Sequence, residues 1–429
     1  MTHTEVTFDT FPLAFIGRDQ GGLFIDGDWI ESKDLSDEGV KYLTTGNVGV
    51  GEFKEQGSGF ISEETFVKLR CTEVLPGDIL ISRLNLPVGR ACIVPDLGHR
   101  LVTSVDNVIV RPSASFDRRY LVFLLSTPHH LESTSNLARG TTMQRISRSA
   151  LGRIRLAIPD LATQRQIADF LDRETARIDL LIEKKQRLVA LLGEKVRSDI
   201  HDLFHSLDAQ TWRIRHLGKV KNGAGFPVEL QGDASNEIPF FKVKHLAVNG
   251  LDLRITDSDD TITKETARTL RATVFPSGTI VFAKIGAALL LGRFSMLGVE
   301  GCIDNNLAAF VVNKRLVDPD YLLLCFERFE MQLMVQPGAV PSLSTEKFIN
   351  QSVPLSSLDG QRELVEQVRR AVQRNGRIVQ RTQDSIDRLK EYRSALITAA
   401  VTGQIDVSTY AKSGTPDRRL DAIQEEMSA

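Results

Sequence analysis

The residues best suited to chemistry on a polyanion are arginines concentrated in the first half of the chain. Between Arg83 and Arg155 the sequence has eleven arginines and no lysine, against four acidic residues. Arginine offers a planar, bidentate donor that suits phosphate groups and guanine. An ordinary basic face would give the same count, and the chain as a whole carries a formal net charge of -2. The run alone therefore leaves nucleic-acid binding and a solvated surface equally open.

The sequence lacks several motifs that carry catalysis in other proteins. It has no GxxxxGK(S/T) phosphate-binding loop, no Asn/Asp-Pro-Pro-Tyr/Phe turn of the amino-group methyltransferases and no strand-linked glycine fingerprint. His201 and His205 are four residues apart and could bind a metal, but no third ligand is evident, so a solvated helix end explains them better. Glu183 beside Lys184 loosely matches a nuclease carboxylate–lysine pair, and a helical charge pattern explains it fully. These observations predict a binding and scaffolding protein.

Length and composition predict two or more domains with real cores, since the chain has 429 residues, 42% of them hydrophobic and 25% charged. Four scattered cysteines without CxxC spacing favour reduced thiols in a cytoplasm over a disulfide or zinc scaffold. The first residues lack the blocks of a signal peptide. The most apolar run, 279–294, contains two cations and is too short to span a membrane. A cytoplasmic protein without membrane association is expected.

The middle of the chain has the pattern of one long helix. Residues 158–200 contain no glycine before Gly193, and their apolar seam follows spacings of seven, three, seven and four residues: Leu171, Ile178, Leu181, Leu188 and Leu192. Such a narrow seam suits a partner helix. A second stretch, 361–401, has a similar seam interrupted by Asn375, Thr382 and Arg393. The two helices are expected either to pack antiparallel against each other or to dock each on its own domain.

The sequence also repeats itself in order after about 195 to 201 residues. PGDILISR at 76–83 matches SGTIVFAKIG at 277–286, and SVDNVIVRP at 104–112 matches CIDNNLAAFVV at 302–312. The second match aligns the pair Asp106-Asn107 with Asp304-Asn305, which is read as a turn at the start of a strand. Further matches follow in the same order: Tyr120 with Tyr321, Pro159 with Pro354, and Gln164-Arg165 with Gln361-Arg362. The repeat predicts two similar strand-rich blocks, each followed by a long helix.

The helical stretches resemble those of the DNA-specificity subunits of Type I restriction-modification enzymes. The shared features are a Pro-x-Leu and Gln-Arg start, two Ile-Asp pairs and the run EYRSALITAAVTGQID: Pro159, Leu161, Gln164, Arg165, Ile178-Asp179, Ile386-Asp387 and 391–406. The second block opens in the style of this family with WRIRHLGKVKNGAGF at 212–226, whereas no such opening precedes Phe24 in the first block. The first strand of the first block is therefore expected to be built differently.

This resemblance implies a mixed α/β fold with two similar target-recognition domains, held apart by two long antiparallel helices that form a coiled coil. Each domain would read one half of a split, asymmetric site in double-stranded DNA, while the helices set the spacing and dock methyltransferase subunits, two of them. S-adenosylmethionine would bind the methyltransferase, and ATP and Mg a motor-nuclease (restriction) subunit, so this chain would hold neither cofactor nor metal. The alternative, a fused DNA methyltransferase or nuclease, is disfavoured by the missing motifs.

The resemblance also implies domain boundaries. The expected order is a first target-recognition domain, a central helix, a second target-recognition domain, a C-terminal helix and a loosely ordered polar tail: 1–158, 159–205, 206–354, 355–403 and 404–429.

Candidate functional residues follow from this reading. DNA contacts are expected on loops with side chains that can reach base edges: Arg139, Thr141, Thr142, Gln144, Arg145, Arg83 and Asn85 in the first block, and Gln336, Ser342, Ser344, Lys244 and Lys284 in the second. For each of them, a solvated side chain or a phosphate contact is the open alternative. Partner docking is expected on the long helices: Gln164, Arg165, Arg173, Arg177, Lys184, Gln361 and Arg362.

Overall fold

A computed structural model describes residues 7–56, 59–140, 143–246, 253–336 and 338–425. The chain divides into two compact units, the first made of Met1–Arg187 with Arg381–Ala429 and the second of Leu188–Gln380. The first unit is thus discontinuous in sequence, whereas the second is one continuous segment. Among the described residues, no helix combines the length and the apolar character needed to cross a bilayer.

The chain begins with the strands and helices of the first unit. In order they are β1 Asp9–Pro12, α1 Leu13–Arg18, β2 Leu23–Asp26, β3 Leu35–Ser36, β4 Val40–Leu43, β5 Gly59–Ile61, α2 Glu63–Lys68, β6 Ile79–Ser82, β7 Ala91–Ile93, β8 Leu101–Thr103, β9 Asn107–Arg111, α3 Arg118–Leu125, α4 Pro128–Leu137, α5 Arg148–Arg153, β10 Arg155–Ile158 and the long helix α6 Leu161–His205. One sheet has the order β2-β9-β6-β7 and a second the order β3-β5-β4-β8, while β1 pairs with β10.

The second unit repeats this plan. Its elements are β11 Gln210–Arg213, β12 Gly218–Asn222, β13 Ile238–Phe241, β14 Arg254–Ile255, β15 Thr261–Ile262, α7 Lys264–Thr269, β16 Ile280–Ala283, α8 Ala287–Leu290, β17 Phe294–Leu297, β18 Cys302–Ile303, β19 Leu307–Val312, α9 Pro319–Phe326, β20 Val335–Gln336, β21 Ser342–Leu343, α10 Thr345–Ile349, β22 Ser352–Leu355 and the long helix α11 Leu358–Val401. Its largest sheet has the order β12-β19-β16-β17-β14, β15-β13-β18 form another, and β11 pairs with β22. Two helices close the chain: α12 Val407–Lys412 and α13 Thr415–Glu425.

The long helices have 45 and 44 residues, about 65 Å each at roughly 1.5 Å per residue. Within the first unit they run antiparallel. Phe170 contacts Tyr410, which follows the end of α11, and nine residues further along α6 Asp179 forms an ion pair with Arg393 at 2.8 Å. Leu171 and Ile178 lie in the same buried cluster as Leu389 and Leu396. Pairing of the two helices is therefore confirmed in this unit. The predicted seam is not buried along its whole length, since Leu188, the first residue of the second unit, is 38% exposed.

The first strand follows the same plan as its counterpart, so the expectation of a different construction was wrong. Asp9 pairs with Ile158 just as Gln210 pairs with Leu355. With this register, the segment FPLAFIG at 11–17 is the counterpart of WRIRHLG at 212–218. Phe supplies the aromatic position in place of Trp, and Gly is kept at the end. A Cβ there would come within 2.9 Å and 2.4 Å of a carbonyl oxygen in the two units, which explains the glycine.

The turn before the central strand was correctly anticipated, but its alignment between the halves was wrong by two residues. Ser104 bridges to Asp28, and Asp304 bridges to Ala224, at corresponding places. The Oγ of Ser104 accepts from the N–H of Asp106 at 3.3 Å, and Oδ1 of Asp304 accepts from the N–H of Asn306 at 2.8 Å. Because Ser can make the same turn as Asp, an alignment by residue identity was misleading here. Asp106 therefore corresponds to Asn306.

The C-terminal tail is helical, which corrects the expectation of a loosely ordered segment. Leu420 is fully buried in the core of the first unit, and Val407 is nearly so. Tyr410 and Ile423 pack on the same core, while Asp417 forms an ion pair with Arg177 of α6. Although the tail is polar on average, its few apolar residues fall on one face of two short helices and that face is buried.

The four cysteines are free thiols in the structure. Burial raises the pKa of Cys92 and of Cys325 to about 12 in both cases, and that of Cys302 to about 11. Thiols of this kind are poor nucleophiles, because the reactive species is the thiolate. They are packing residues.

Replacing Leu420 by Ala is expected to destabilise the first unit by about 2–5 kcal/mol, because it empties a fully buried site. Hydrogen exchange on the full-length chain should show faster exchange in α13 and in the part of α6 that contacts it. Arg418→Ala, at an exposed position of the same helix, is the matched control and should change little. Equal exchange in wild type and Leu420→Ala would show that the tail does not belong to the core.

Candidate nucleic-acid interface

One edge of the β2-β9-β6-β7 sheet brings together three polar side chains, two of which the sequence singled out. Asp26 ends β2, Arg83 follows β6, and Asp106 precedes β9. These strands are antiparallel neighbours, so the three residues meet at the same edge. Arg139 and Arg145, the two ends of a loop, bridge to each other, and Arg145 also bridges to Leu84 at this edge.

The loop is held by backbone hydrogen bonds at both ends. Arg139 and Arg145 exchange N–H···O bonds of 2.9 Å, and the N–H of Asn85 donates to the carbonyl of Gln144 at 3.0 Å. Gly140 and Asn85 have φ of +112° and +61°, which lets the chain turn tightly at both places. Asn85 and Arg139 are exposed and Gln144 is half-buried. Thr141 and Thr142 lie outside the described residues.

Arg83 is a buried structural residue, so its expected role in contacting bases is not supported. Only 5% of it is exposed. Its guanidinium donates to the carbonyls of Val105 and Ile146, and Nε lies 3.1 Å from Oδ1 of Asp26. Burial lowers the pKa of the Arg83 guanidinium from its ordinary value, while the charge of Asp26 acts in the opposite direction. Sequence position placed Arg83 near the loop but could not show that it points inward.

Two further arginines extend from this buried pair toward solvent. Nη2 of Arg145 lies 2.8 Å from Oδ1 of Asp106, and Nη1 of Arg148 lies 3.4 Å from Oδ2 of Asp26. Their side chains are 43% and 41% exposed. Arg148 was missed among the candidates because it was read only as the start of the short helix α5. The edge thus presents two half-exposed guanidinium groups, each oriented by a carboxylate.

Most of the remaining arginines in the run have partners inside the unit. Arg90 donates to five backbone carbonyls, Arg111 binds both oxygens of Asp78 at 2.7 Å, and Arg119 contacts three aspartates. Arg100 pairs with two glutamates. Among the described residues, Arg118 and Arg139 have no such side-chain partner. The arginine count therefore reflects structural ion pairs more than a free basic face.

The second unit builds the same edge from different residues. Asn222 ends β12, Lys284 follows β16, and Asn306 precedes β19. Nζ of Lys284 donates to Oδ1 of Asn222 at 3.0 Å, in the place of the Arg83–Asp26 pair. Ile285 bridges to Ser342, and Gly286 takes the positive φ of Asn85, at +78°. Lys284 and Ser342 thereby lie close together at this edge.

The other candidates of the second unit divide into different environments. Ser344 is the N-cap of α10 and almost buried, with Oγ accepting from the N–H of Lys347, so it is not available to a base. Gln336 is exposed on β20, paired with Ser342. Lys244 lies at a separate cluster, where Nζ contacts Asp259 at 2.5 Å.

The cluster around Lys244 contains His245, Asp259 and Asp260, whose ligand atoms lie within 4.8 Å of one another. The ammonium group of Lys242 lies 2.7 Å from Oδ2 of Asp260, and that of Lys244 binds Asp259. Two ammonium groups therefore already neutralise the carboxylates that a cation would need. The arrangement is an ion-pair network.

Two of the residues expected to dock partners instead hold their own unit together. Gln164 is buried, with Oε1 accepting from the N–H of Asp117 and Nε2 donating to the carbonyl of Pro159, both at 2.9 Å. Gln361 makes the same bonds at 2.8 Å with Asp318 and Ser356. A buried side chain that satisfies two backbone groups cannot contact a partner.

The charged candidates on the long helices remain at the surface. Arg165, Arg173, Lys184 and Arg362 are exposed, and Arg362 makes only loose ion pairs of 3.5 Å and 3.9 Å. Arg173 pairs with the neighbouring Glu174 at 3.2 Å, and Arg177 is bound by Asp417 of the tail. Arg165 and Lys184 are exposed on α6, and Arg362 on α11.

Part of the chain is similar in sequence to known proteins. Residues 19–190 match the family model described as Type I restriction modification DNA specificity domain. The specificity subunit of the Type I restriction enzyme MjaVIII from Methanocaldococcus jannaschii is 28% identical over 167 residues. That alignment covers 38% of this chain and 38% of the relative, so it spans well under half of either protein.

Solved structures extend the likeness of fold to nearly the whole chain. A chain from a structure of the type I R-M system, described for complex assembly and conformational transition, aligns with 92% of this chain and 97% of its own, at a TM-score of 0.71 and 14% identity. The HsdS subunit from Thermoanaerobacter tengcongensis aligns with 93% and 97%, at a TM-score of 0.50 and 14% identity. The predicted mixed α/β fold with two long helices is confirmed.

Replacing Asp26 by Ala is expected to destabilise the first unit by roughly 3 kcal/mol, because it leaves the buried Arg83 cation without its counter-ion. The double variant Asp26→Asn with Arg83→Lys copies the pair of the second unit and should lose much less. The stability of the first unit in both variants is measured by unfolding the full-length chain in urea and following the proteolytic release of peptides from the first unit. Equal losses in the single and double variants would contradict the ion-pair account.

Proposed function

We propose that the chain is a non-catalytic specificity subunit that recognises double-stranded DNA, because residues 19–190 match the family model described as Type I restriction modification DNA specificity domain. The observation that carries the proposal is the repeat of one polar sheet edge in two units with the same backbone plan. Arginine, lysine, asparagine and serine at such an edge are side chains able to bond base edges in the major groove. Each unit would read one half of a bipartite, asymmetric site.

The long helices would serve as the spacer between the two readers. A continuous helix is stiffer than a flexible linker and so sets a separation more sharply. Recognition of a split site needs such a fixed separation, since both halves must be contacted at once. This role accounts for two unbroken helices of more than forty residues in a chain whose other elements are short.

Partner subunits would supply the chemistry. Adenine methylation requires the base to leave the stack, so the reader must hold DNA on both sides of a position that a methyltransferase then attacks. The exposed charges at Arg165, Arg173, Lys184 and Arg362 mark where methyltransferase subunits would dock, and the repeat favours two copies. S-adenosylmethionine would bind these partners, and ATP and Mg a restriction subunit. The proposal places the complex in the cytoplasm.

Exchange of one reader tests the assignment of half-sites. Replacing residues 206–354 by the corresponding segment of another specificity subunit should change one half of the methylated sequence and leave the other unchanged, because each unit reads separately. Methylation mapping of DNA in cells that also express the partner methyltransferase gives the result. The unmodified chain is the control. Changes in both halves, or a methylated sequence that never responds to the exchange, would argue against the assignment.

Insertion of one heptad into both α6 and α11 tests the spacer. Seven residues add about 10 Å of helix, roughly 3 base pairs of DNA. The distance between the half-sites should grow while each half-site keeps its sequence. The same mapping experiment shows both quantities, and an altered half-site at constant spacing is the result that the spacer account forbids. Insertion into α6 alone is the control and should disrupt the pairing of the helices.

A further inference from the structure

Five polar positions at the sheet edge described above carry different residues in the two units. Each pair of residues occupies corresponding positions in the two backbones. The first-unit residues and their counterparts are Asp26 and Asn222, Arg83 and Lys284, Asp106 and Asn306, Arg145 and Ser342, and Arg148 and Thr345. The second unit thus replaces both exposed guanidinium groups by hydroxyls and both carboxylates by amides.

The residues that cap the helices around this edge are of the same type in both units, and we call them the frame. Asp117 and Asp318 cap α3 and α9, and the backbone N–H of each donates to Oε1 of the buried glutamine at the start of a long helix. Ser147 and Ser344 cap the short helices α5 and α10 that border the edge. The frame is therefore shared while the edge it supports is different.

The two edges carry the same net charge by different means. In the first unit three cations face two anions, and in the second Lys284 is the one charged member of the set. Each set therefore has one net positive charge and attracts the DNA backbone similarly. The difference lies in hydrogen-bonding geometry, which is the quantity that discriminates bases.

We infer that Arg145 and Arg148 read guanine in the half-site of the first unit, an inference that rests on the proposed function. A guanidinium group has five N–H donors, and Asp106 occupies one nitrogen of Arg145, at 2.8 Å. The other donors form the fork that matches O6 and N7 of guanine. At the corresponding positions the second unit has Ser342 and Thr345, which lack this fork.

The carboxylates favour a base over a phosphate as the target. Asp106 and Asp26 lie directly beside the two exposed guanidinium groups, at 2.8 Å and 3.4 Å. A phosphate placed on either arginine would be repelled by the neighbouring carboxylate, whereas the guanine edge carries no net charge. The same carboxylates restrict the arginine rotamers, which reduces the entropy lost when a base is bound.

The decisive variant combines Arg145→Ser with Asp106→Asn. It gives the first unit the residues of the second at these positions, which the shared frame accommodates, and it leaves the net charge unchanged. In complex with the partner methyltransferase, one guanine of one half-site should become degenerate, with discrimination against other bases falling about 5- to 150-fold. The other half-site and the spacing should stay as in wild type. Methylation mapping and binding to a library of randomised half-sites measure the change.

Two further variants provide a control and the reverse exchange. Arg100→Ser with Glu63→Gln removes an exposed ion pair elsewhere on the first unit, again without a change in net charge, and should leave the recognised sequence unaltered. The reverse exchange in the second unit, Ser342→Arg with Asn306→Asp, should add a guanine preference to the other half-site. Circular dichroism confirms that each variant is folded.

Two outcomes would overturn the inference while leaving the proposed function intact. One is an unchanged sequence in the Arg145→Ser, Asp106→Asn variant. The other is a uniform loss of affinity over all sequences with a smaller salt dependence, which indicates a phosphate contact. If the wild-type complex itself shows no sequence preference, the proposed function fails, and the inference fails with it.

Discussion

Each long helix begins at a point set by one buried glutamine. The side chain of Gln164 or Gln361 joins the N-cap residue of α3 or α9 to a carbonyl just before the long helix. Because both ends of the amide are satisfied inside the protein, rotation of the long helix would break two buried hydrogen bonds at once. The direction in which each helix leaves its globular part, and so every surface it presents, depends on this bond pair.

The overall plan could be predicted from the sequence because it depends on periodic signals. The apolar seams predicted the long helices, and the ordered repeat predicted two similar blocks; both signals extend over many residues and tolerate local errors. The alignment of single residues was less secure. Asp106-Asn107 was matched to Asp304-Asn305 because the residues are identical. In the structure, Ser104 accepts the turn hydrogen bond that Asp304 accepts in the second unit, so the two turns correspond in hydrogen bonding and not in residue type.

Individual site residues were harder to predict, since the direction of a polar side chain is decided by distant partners. Arg83 was expected to face DNA and instead binds Asp26, which is remote in sequence and could not be foreseen from local pattern. Ser344 was expected to contact a base and caps a helix. Arg145 and Ser342 could be located more easily, because their loops precede a recognisable strand; each bridges to a residue just after β6 or β16.

The discontinuity of the first unit has a consequence for synthesis on the ribosome. Residues 188–380 contain every part of the second unit, which can fold as soon as they emerge. Most of the first unit is synthesised first, but Leu389, Leu396 and Leu420 emerge only after the second unit. The apolar face that contains Leu171 and Ile178 stays uncovered until then. The second unit is thus completed before the first, although most of the first unit is synthesised earlier. A premature stop codon near the C-terminus would harm the unit encoded at the opposite end of the gene.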